Sequence, residues 1–117
     1  MAYKVNRLSD AAKYTAPGHS ATVHTMHLQH KNVGSEAPYW VGCSYYLPGA
    51  QADWGATPLD KIYVCLAGEL TVRLQNETLT LGAMDSIWIG PDEPRELINQ
   101  SNEVATLLVV MPYPAAK

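Results

Sequence analysis

Two short segments of the sequence gather side chains that can hold an anion and move a proton. Lys61, Tyr63 and Cys65 alternate within KIYVCLA, and Arg95, Leu97 and Asn99 alternate within RELIN. Residues two apart on a strand point to the same side, so each trio shares one face. An arginine forks a carboxylate or an enolate oxygen at two points. A lysine makes a single contact and can also transfer its proton once burial lowers its pKa. The candidates for general acid or base work are Asp53, Lys61, Tyr63, Glu96 and one of the histidines.

The histidines pose a separate question. His24, His27 and His30 recur every third residue in TVHTMHLQH, but the segment is rich in β-branched residues and alternates like a strand. On a strand His24 and His30 share one face and His27 takes the other, so the three converge on a metal only across a bulge. They are expected to bind no metal. Cys43 and Cys65 lie 22 residues apart with no second pair, too few for a zinc ribbon or a disulfide scaffold. Ser44 and Cys65 stand in no nucleophile elbow, which argues against a covalent intermediate.

Strands must position these groups. Short runs rich in β-branched and aromatic residues span residues 23–29, 41–47, 61–67, 70–75, 78–81, 87–89, 95–99 and 104–111, separated by turn formers such as Asn32 to Pro38, Pro48 to Pro58 and Gly90 to Pro94. Helical periodicity appears only near Leu8 to Tyr14, before Pro17 and Gly18. About eight short strands in 117 residues predict a single all-β domain closed into a barrel or a two-sheet sandwich, because closure removes sticky edges. The expected divisions are an extension over 1–20, a barrel over 21–111 and a tail over 112–117.

Composition narrows the function classes. Hydrophobic residues make up 47% and charged residues only 16%, a folded composition and not that of a disordered tail. Eight Lys and Arg stand against eleven Asp and Glu with no basic run, which gives nucleic acid no electrostatic footing. No apolar run approaches a membrane span, and MAYKVNRLSD has no signal-peptide character, so a cytoplasmic protein without membrane partners is expected. Seven Tyr, three Trp and no Phe mean that every aromatic ring carries a polar handle, which suits a lined pocket better than a dry core.

The order of motifs resembles a small single-domain cupin, an RmlC-like jelly roll. Pro48-Gly49, a loop, and then KIYVCLAGELTV with Gly68 in the closing position match the frame of the family's first motif; Asp85 to Arg95 with Asn99 match the second. The family's metal ligands, two His and a Glu in the first motif and a His in the second, are replaced. Lys61 stands where the Glu is expected, the two His positions fall among Trp54, Gly55, Ala56 and Thr57, and Arg95 occupies the last His position. Two cations there repel a divalent ion.

The resemblance implies an all-β cupin-type jelly-roll barrel into which both trios look. It then implies an interior of Lys61, Tyr63 and Arg95 as catalytic groups, with Asp53, Trp54, Cys65, Trp88, Leu97 and Asn99 around the substrate and with neither metal nor cofactor. Positive charge there stabilises developing negative charge as a metal otherwise does. The expected function is a metal-independent lyase, decarboxylase or isomerase acting on a small carboxylate or enolisable carbonyl compound. The alternatives are a non-catalytic module for an anionic or sugar-like ligand, a metal-dependent oxygenase built on the His24 to His30 segment, and rim ion pairs from Lys61 and Arg95 to Asp53, Asp60, Asp85, Glu93 or Glu96 that hold the site shut. A homodimer is expected through the extension and Val23, Met26 and Leu28.

Overall fold

The computed structural model describes residues 2–114. Ten strands form two antiparallel sheets: β1 (Ala12–Tyr14), β2 (Val23–Gln29), β3 (Tyr39–Tyr46), β4 (Gln51–Gly55), β5 (Lys61–Ala67), β6 (Leu70–Arg73), β7 (Thr78–Leu81), β8 (Ser86–Ile89), β9 (Arg95–Ile98) and β10 (Ala105–Pro112). The larger sheet runs β1-β2-β3-β10-β5-β8 and the smaller β4-β9-β6-β7. The inner faces meet over Tyr46, Ala52, Tyr63, Cys65, Leu70, Val72, Leu81, Ile89, Leu97, Leu107 and Val109, all buried. This is the all-β jelly roll expected from the sequence, and the eight predicted runs all appear as strands.

Two strands were not predicted. Gln51–Gly55 was read as part of a turn because QADWG carries little β propensity, yet β9 pairs with it at Gln51, Ala52 and Gly55 and holds it extended. Near the N-terminus the expected helical turn shrinks to a 3-10 turn at Leu8–Asp10, followed by β1. β1 pairs with β2, and the Thr25 hydroxyl donates to the Tyr14 carbonyl across that pair. Residues 12–14 of the expected extension are therefore built into the larger sheet. His19 also bridges to Ala52 in the smaller one. The tail is described only to Pro114, and residues 115–117 lie outside the described residues.

Of the three residues behind the expected pairing with a second copy, Val23 packs against the core and Met26 is buried, while Leu28 is half-buried. Large apolar side chains on the outer face of the larger sheet are exposed instead at Ile62, Leu66 and Trp88. Among the described residues no helix is long and apolar enough to cross a membrane.

The register fixes which side chains meet inside. Trp40 pairs with Met111 across β3 and β10, Gly42 with Val109, Val109 with Tyr63 across β10 and β5, and Lys61 with Ile89 across β5 and β8. One inward row is thus His27, Gly42, Val109, Tyr63 and Ile87. Gly68, which closes the first motif, has φ +73° and backs onto β10: a Cβ there would lie 2.5 Å from the Val104 carbonyl oxygen. Both the left-handed turn and the close approach require glycine.

Candidate active site

β5 and β9 carry the central groups into the barrel from opposite sheets. Arg95 donates from Nε to the Tyr63 hydroxyl at 3.1 Å and from Nη1 to the Gly55 carbonyl at 3.0 Å. Lys61, 3% exposed, donates from Nζ to Thr57 Oγ1 at 2.8 Å. Both cations are therefore held by neutral groups on one short stretch, residues 55–57. Among the described residues neither forms an ion pair; the salt bridge found is Arg73 to Glu96 at 3.6 Å, on the outer face of the smaller sheet. The rim ion pairs weighed from the sequence do not form.

Electrostatics follow from this burial. Lys61 is brought down to about 8, first by desolvation and then by the Arg95 charge, with Asp60 pulling the other way. Burial raises the Tyr63 phenol, and Arg95 offsets part of that rise. Burial also pushes Tyr14 up to about 12 and Tyr46 higher still, so all three phenols stay protonated at neutral pH. Tyr63 can accept from Arg95 and still donate its own proton to a guest.

The remaining predicted substrate contacts separate from this group. Asn99 is fully buried and its side chain is spent: Nδ2 donates to the carbonyls of Tyr46 and Glu103, and Oδ1 accepts from the Ser101 N–H and hydroxyl. It staples the β9–β10 loop. Cys65 and Leu97 are core residues, and the Cys65 thiol donates to the Ala67 and Gly68 carbonyls. Trp54 turns to the outer face and lies under the Arg73 guanidinium, 5.5 Å from its ring centre, because the bulge between Ala52 and Gly55 breaks the alternation. Asp53 is exposed and accepts from Gln51. Trp88, 63% exposed, points outward and donates to Asp60.

The histidine segment also differs from its strand reading. The register shift between His27 and Gln29 brings His27 and His30 onto one side, their rings stacked at 3.8 Å and 7°, while His24 is exposed. Tyr14 stacks on the other face of His27 at 4.0 Å, and Trp40 abuts all three rings edge-on. His30 Nδ1 accepts from the Asn32 N–H, which leaves the proton on Nε2. Burial and its stacked neighbour lower the His27 pKa.

Could these residues hold the metal that the fold suggests? Imidazole lone pairs lie in the ring plane, so two nearly parallel stacked rings do not aim at one ion. Among the described residues no three His, Cys, Asp or Glu side chains converge. At the expected ligand positions stand an ammonium and a guanidinium. The donor set does not fit a divalent ion.

Residues 44–111 match the family model described as Cupin domain. The chain belongs to the cupin family. A relative named Beta-D-galactosidase Rv1717, from Mycobacterium tuberculosis (strain ATCC 25618 / H37Rv), is 38% identical over 114 residues, spanning 97% of each chain. Among solved structures, the polyketide cyclase RemF from Streptomyces resistomycificus superposes with a TM-score of 0.82 at 18% identity, over 94% of this chain and 79% of that one. A predicted oxalate decarboxylase from Thermotoga maritima does so with a TM-score of 0.78 at 19% identity, over 95% and 100%. These two likenesses establish the jelly roll alone.

The interior of this cupin contains groups that sequence reasoning missed. Tyr46, inward on β3, lies near enough to Arg95 for the guanidinium to offset part of its burial, and Tyr14, from β1, neighbours Tyr63. The signal for Tyr14 was absent because β1 itself was not predicted. Tyr46 was within reach: it alternates with Ser44 and Gly42 on β3.

Proposed function

We propose that this cupin is a metal-independent enzyme that uses acid–base chemistry on a small carboxylate or enolisable carbonyl compound bound between the sheets. The observation that carries the reading is a buried ammonium, Lys61, and a half-buried guanidinium, Arg95, that enter from opposite sheets and have only neutral partners among the described residues. Burying a charge is costly unless an opposite charge offsets it, so the interior favours an anionic guest. Arg95 binds the carboxylate or the developing enolate oxygen. Lys61, neutral in part near its depressed pKa, removes the proton from the adjacent carbon, and the Tyr63 O–H donates to the oxygen that gains charge. Val72, Leu97 and Ile89 belong to the apolar core beside these groups.

The test is proton exchange. 2-Oxobutyrate and oxaloacetate in D₂O, followed by proton NMR, are expected to show protein-dependent deuterium incorporation or decarboxylation. That rate should fall roughly 100-fold or more in Lys61→Met and Arg95→Gln, a typical loss for a general base or its charged partner. Full turnover by both variants while folded would remove these residues from the chemistry.

The 38% identical relative's name supports a second reading, hydrolysis of a β-D-galactoside. Glycoside hydrolysis ordinarily uses a pair of carboxylates. Here Asp53 and Asp60 bond to Gln51 and Trp88, and Glu96 pairs with Arg73 on the outer face. Release of 4-nitrophenol from its β-D-galactopyranoside, abolished by Lys61→Met, would put this reading in place of the first.

A further inference from the structure

Beyond the two cations, the barrel interior holds polar groups that serve no bond among the described residues. Tyr46 is 1% exposed and His27 8% exposed, yet the Tyr46 hydroxyl and the His27 ring nitrogens have no hydrogen-bond partner among the described residues. The hydroxyl of the half-buried Tyr14 has none either. Nor is any side-chain nitrogen or oxygen of the described residues both sealed from solvent and unpartnered. These groups therefore keep some contact with solvent. Three polar groups on one interior wall, none of them paired with another protein group, offer their donors and acceptors to a guest.

Their placement is consistent. His27, Gly42, Val109 and Tyr63 form one inward row, and a Cβ on Gly42 would meet Trp40 Cζ3 at 2.9 Å and the Tyr14 hydroxyl at 3.3 Å. Gly42 thus leaves room for the Tyr14 hydroxyl and the Trp40 ring to lie over the sheet, on the path between the histidine stack and Tyr63. Tyr46 comes from the same strand, two alternations further on.

We propose that the interior site takes a hydroxylated carboxylate of the sugar-acid type, its carboxylate on Arg95 and Lys61 and its hydroxyls on Tyr46, Tyr14 and His27. The inference rests on the cation reading above and deepens it to a substrate class. Neutral phenols and an uncharged imidazole each donate or accept, which matches a hydroxyl, and an aliphatic acid leaves them unpaired. The chemistry is shared by aldonic acids and by other polyhydroxylated acids of that size.

Isothermal titration of the full chain with three matched six-carbon probes separates the halves of the proposal: D-galactonate, hexanoate and galactitol. D-Galactonate is expected to bind at least about tenfold more tightly than either of the others, the loss that follows from unpairing one buried hydrogen-bonding group. Tyr46→Phe, which keeps the ring, is expected to weaken D-galactonate about tenfold and leave hexanoate unchanged. Arg95→Gln is expected to weaken both acids. Equal binding of D-galactonate and hexanoate, with Tyr46→Phe silent and Arg95→Gln harmful to both, would overturn the sugar-acid inference and spare the cation reading. Equal binding of D-galactonate and galactitol, indifferent to Arg95→Gln, would overturn both, as would no binding by any probe.

Discussion

The Arg95 guanidinium is anchored to the Tyr63 hydroxyl across the barrel, from β9 in one sheet to β5 in the other, at 3.1 Å from Nε. Tyr63 is thereby an acceptor for a cation and, still protonated, a donor to whatever the cation binds. Tyr63→Phe removes both roles while keeping the ring. A hydrogen bond to a charged group contributes about 1.5–3 kcal/mol, so kcat/KM is expected to fall roughly tenfold or more. Unchanged kinetics in Tyr63→Phe would show that Gly55 alone positions Arg95.

The pH profile should carry the mark of Lys61. Its neutral form is the base, so kcat/KM is expected to rise with pH to a limb near 8. Arg95 is the second cause of the depression after burial, so Arg95→Gln should move the limb upward, towards the ordinary lysine value. Stability moves in the same window. With the folded pKa near 8 and the unfolded one near 10.5, the unfolded chain holds more protons between those values, and stability rises as pH passes from about 8 to 10.5. Chemical shifts of ¹³C-labelled, methylated lysine report the pKa directly, and a midpoint at the ordinary value would refute the burial argument.

Thr57 should act in the opposite sense. Its hydroxyl is the acceptor for the Lys61 ammonium at 2.8 Å and so favours the charged form. Thr57→Val keeps the shape and withdraws the acceptor, so the kcat/KM limb is expected to shift to lower pH. Opposite displacements in Thr57→Val and Arg95→Gln would be hard to produce by a general loosening of the fold. A shift in the same direction in both would count against the assignment.

The sequence made the strands legible where burial writes an alternation, as in Lys61–Ala67, and the two motifs led to Lys61, Tyr63 and Arg95. It misled where a bulge changes which way a side chain points. Trp54 follows Ala52 by two residues and by simple alternation belongs inside, but the shift between Ala52 and Gly55 turns it outward. The same device between His27 and Gln29 joins two histidines that parity separates. Trp88, which the resemblance puts beside the substrate, points outward because its neighbours Ile87 and Ile89 are the inward pair on β8. Bulges depend on how partner strands fit together, and no local pattern announces them.

Asn99 marks the boundary between site and scaffold. Sequence placed it beside the substrate, two residues beyond Leu97 on the Arg95 face, but every donor and acceptor of its amide is engaged with Tyr46, Ser101 and Glu103. Asn99→Ala would take a donor from the carbonyl of the buried Tyr46, at about 1–3 kcal/mol, and one from the more exposed Glu103 carbonyl, which keeps the Ser101 hydroxyl. Its expected signature is a lowered melting temperature with ligand affinity unchanged at temperatures where the protein remains folded. Arg95→Gln should give the converse, lost affinity with little change in melting. If Asn99→Ala instead loses affinity at full stability, Asn99 belongs to the binding site and the amide network is not its role.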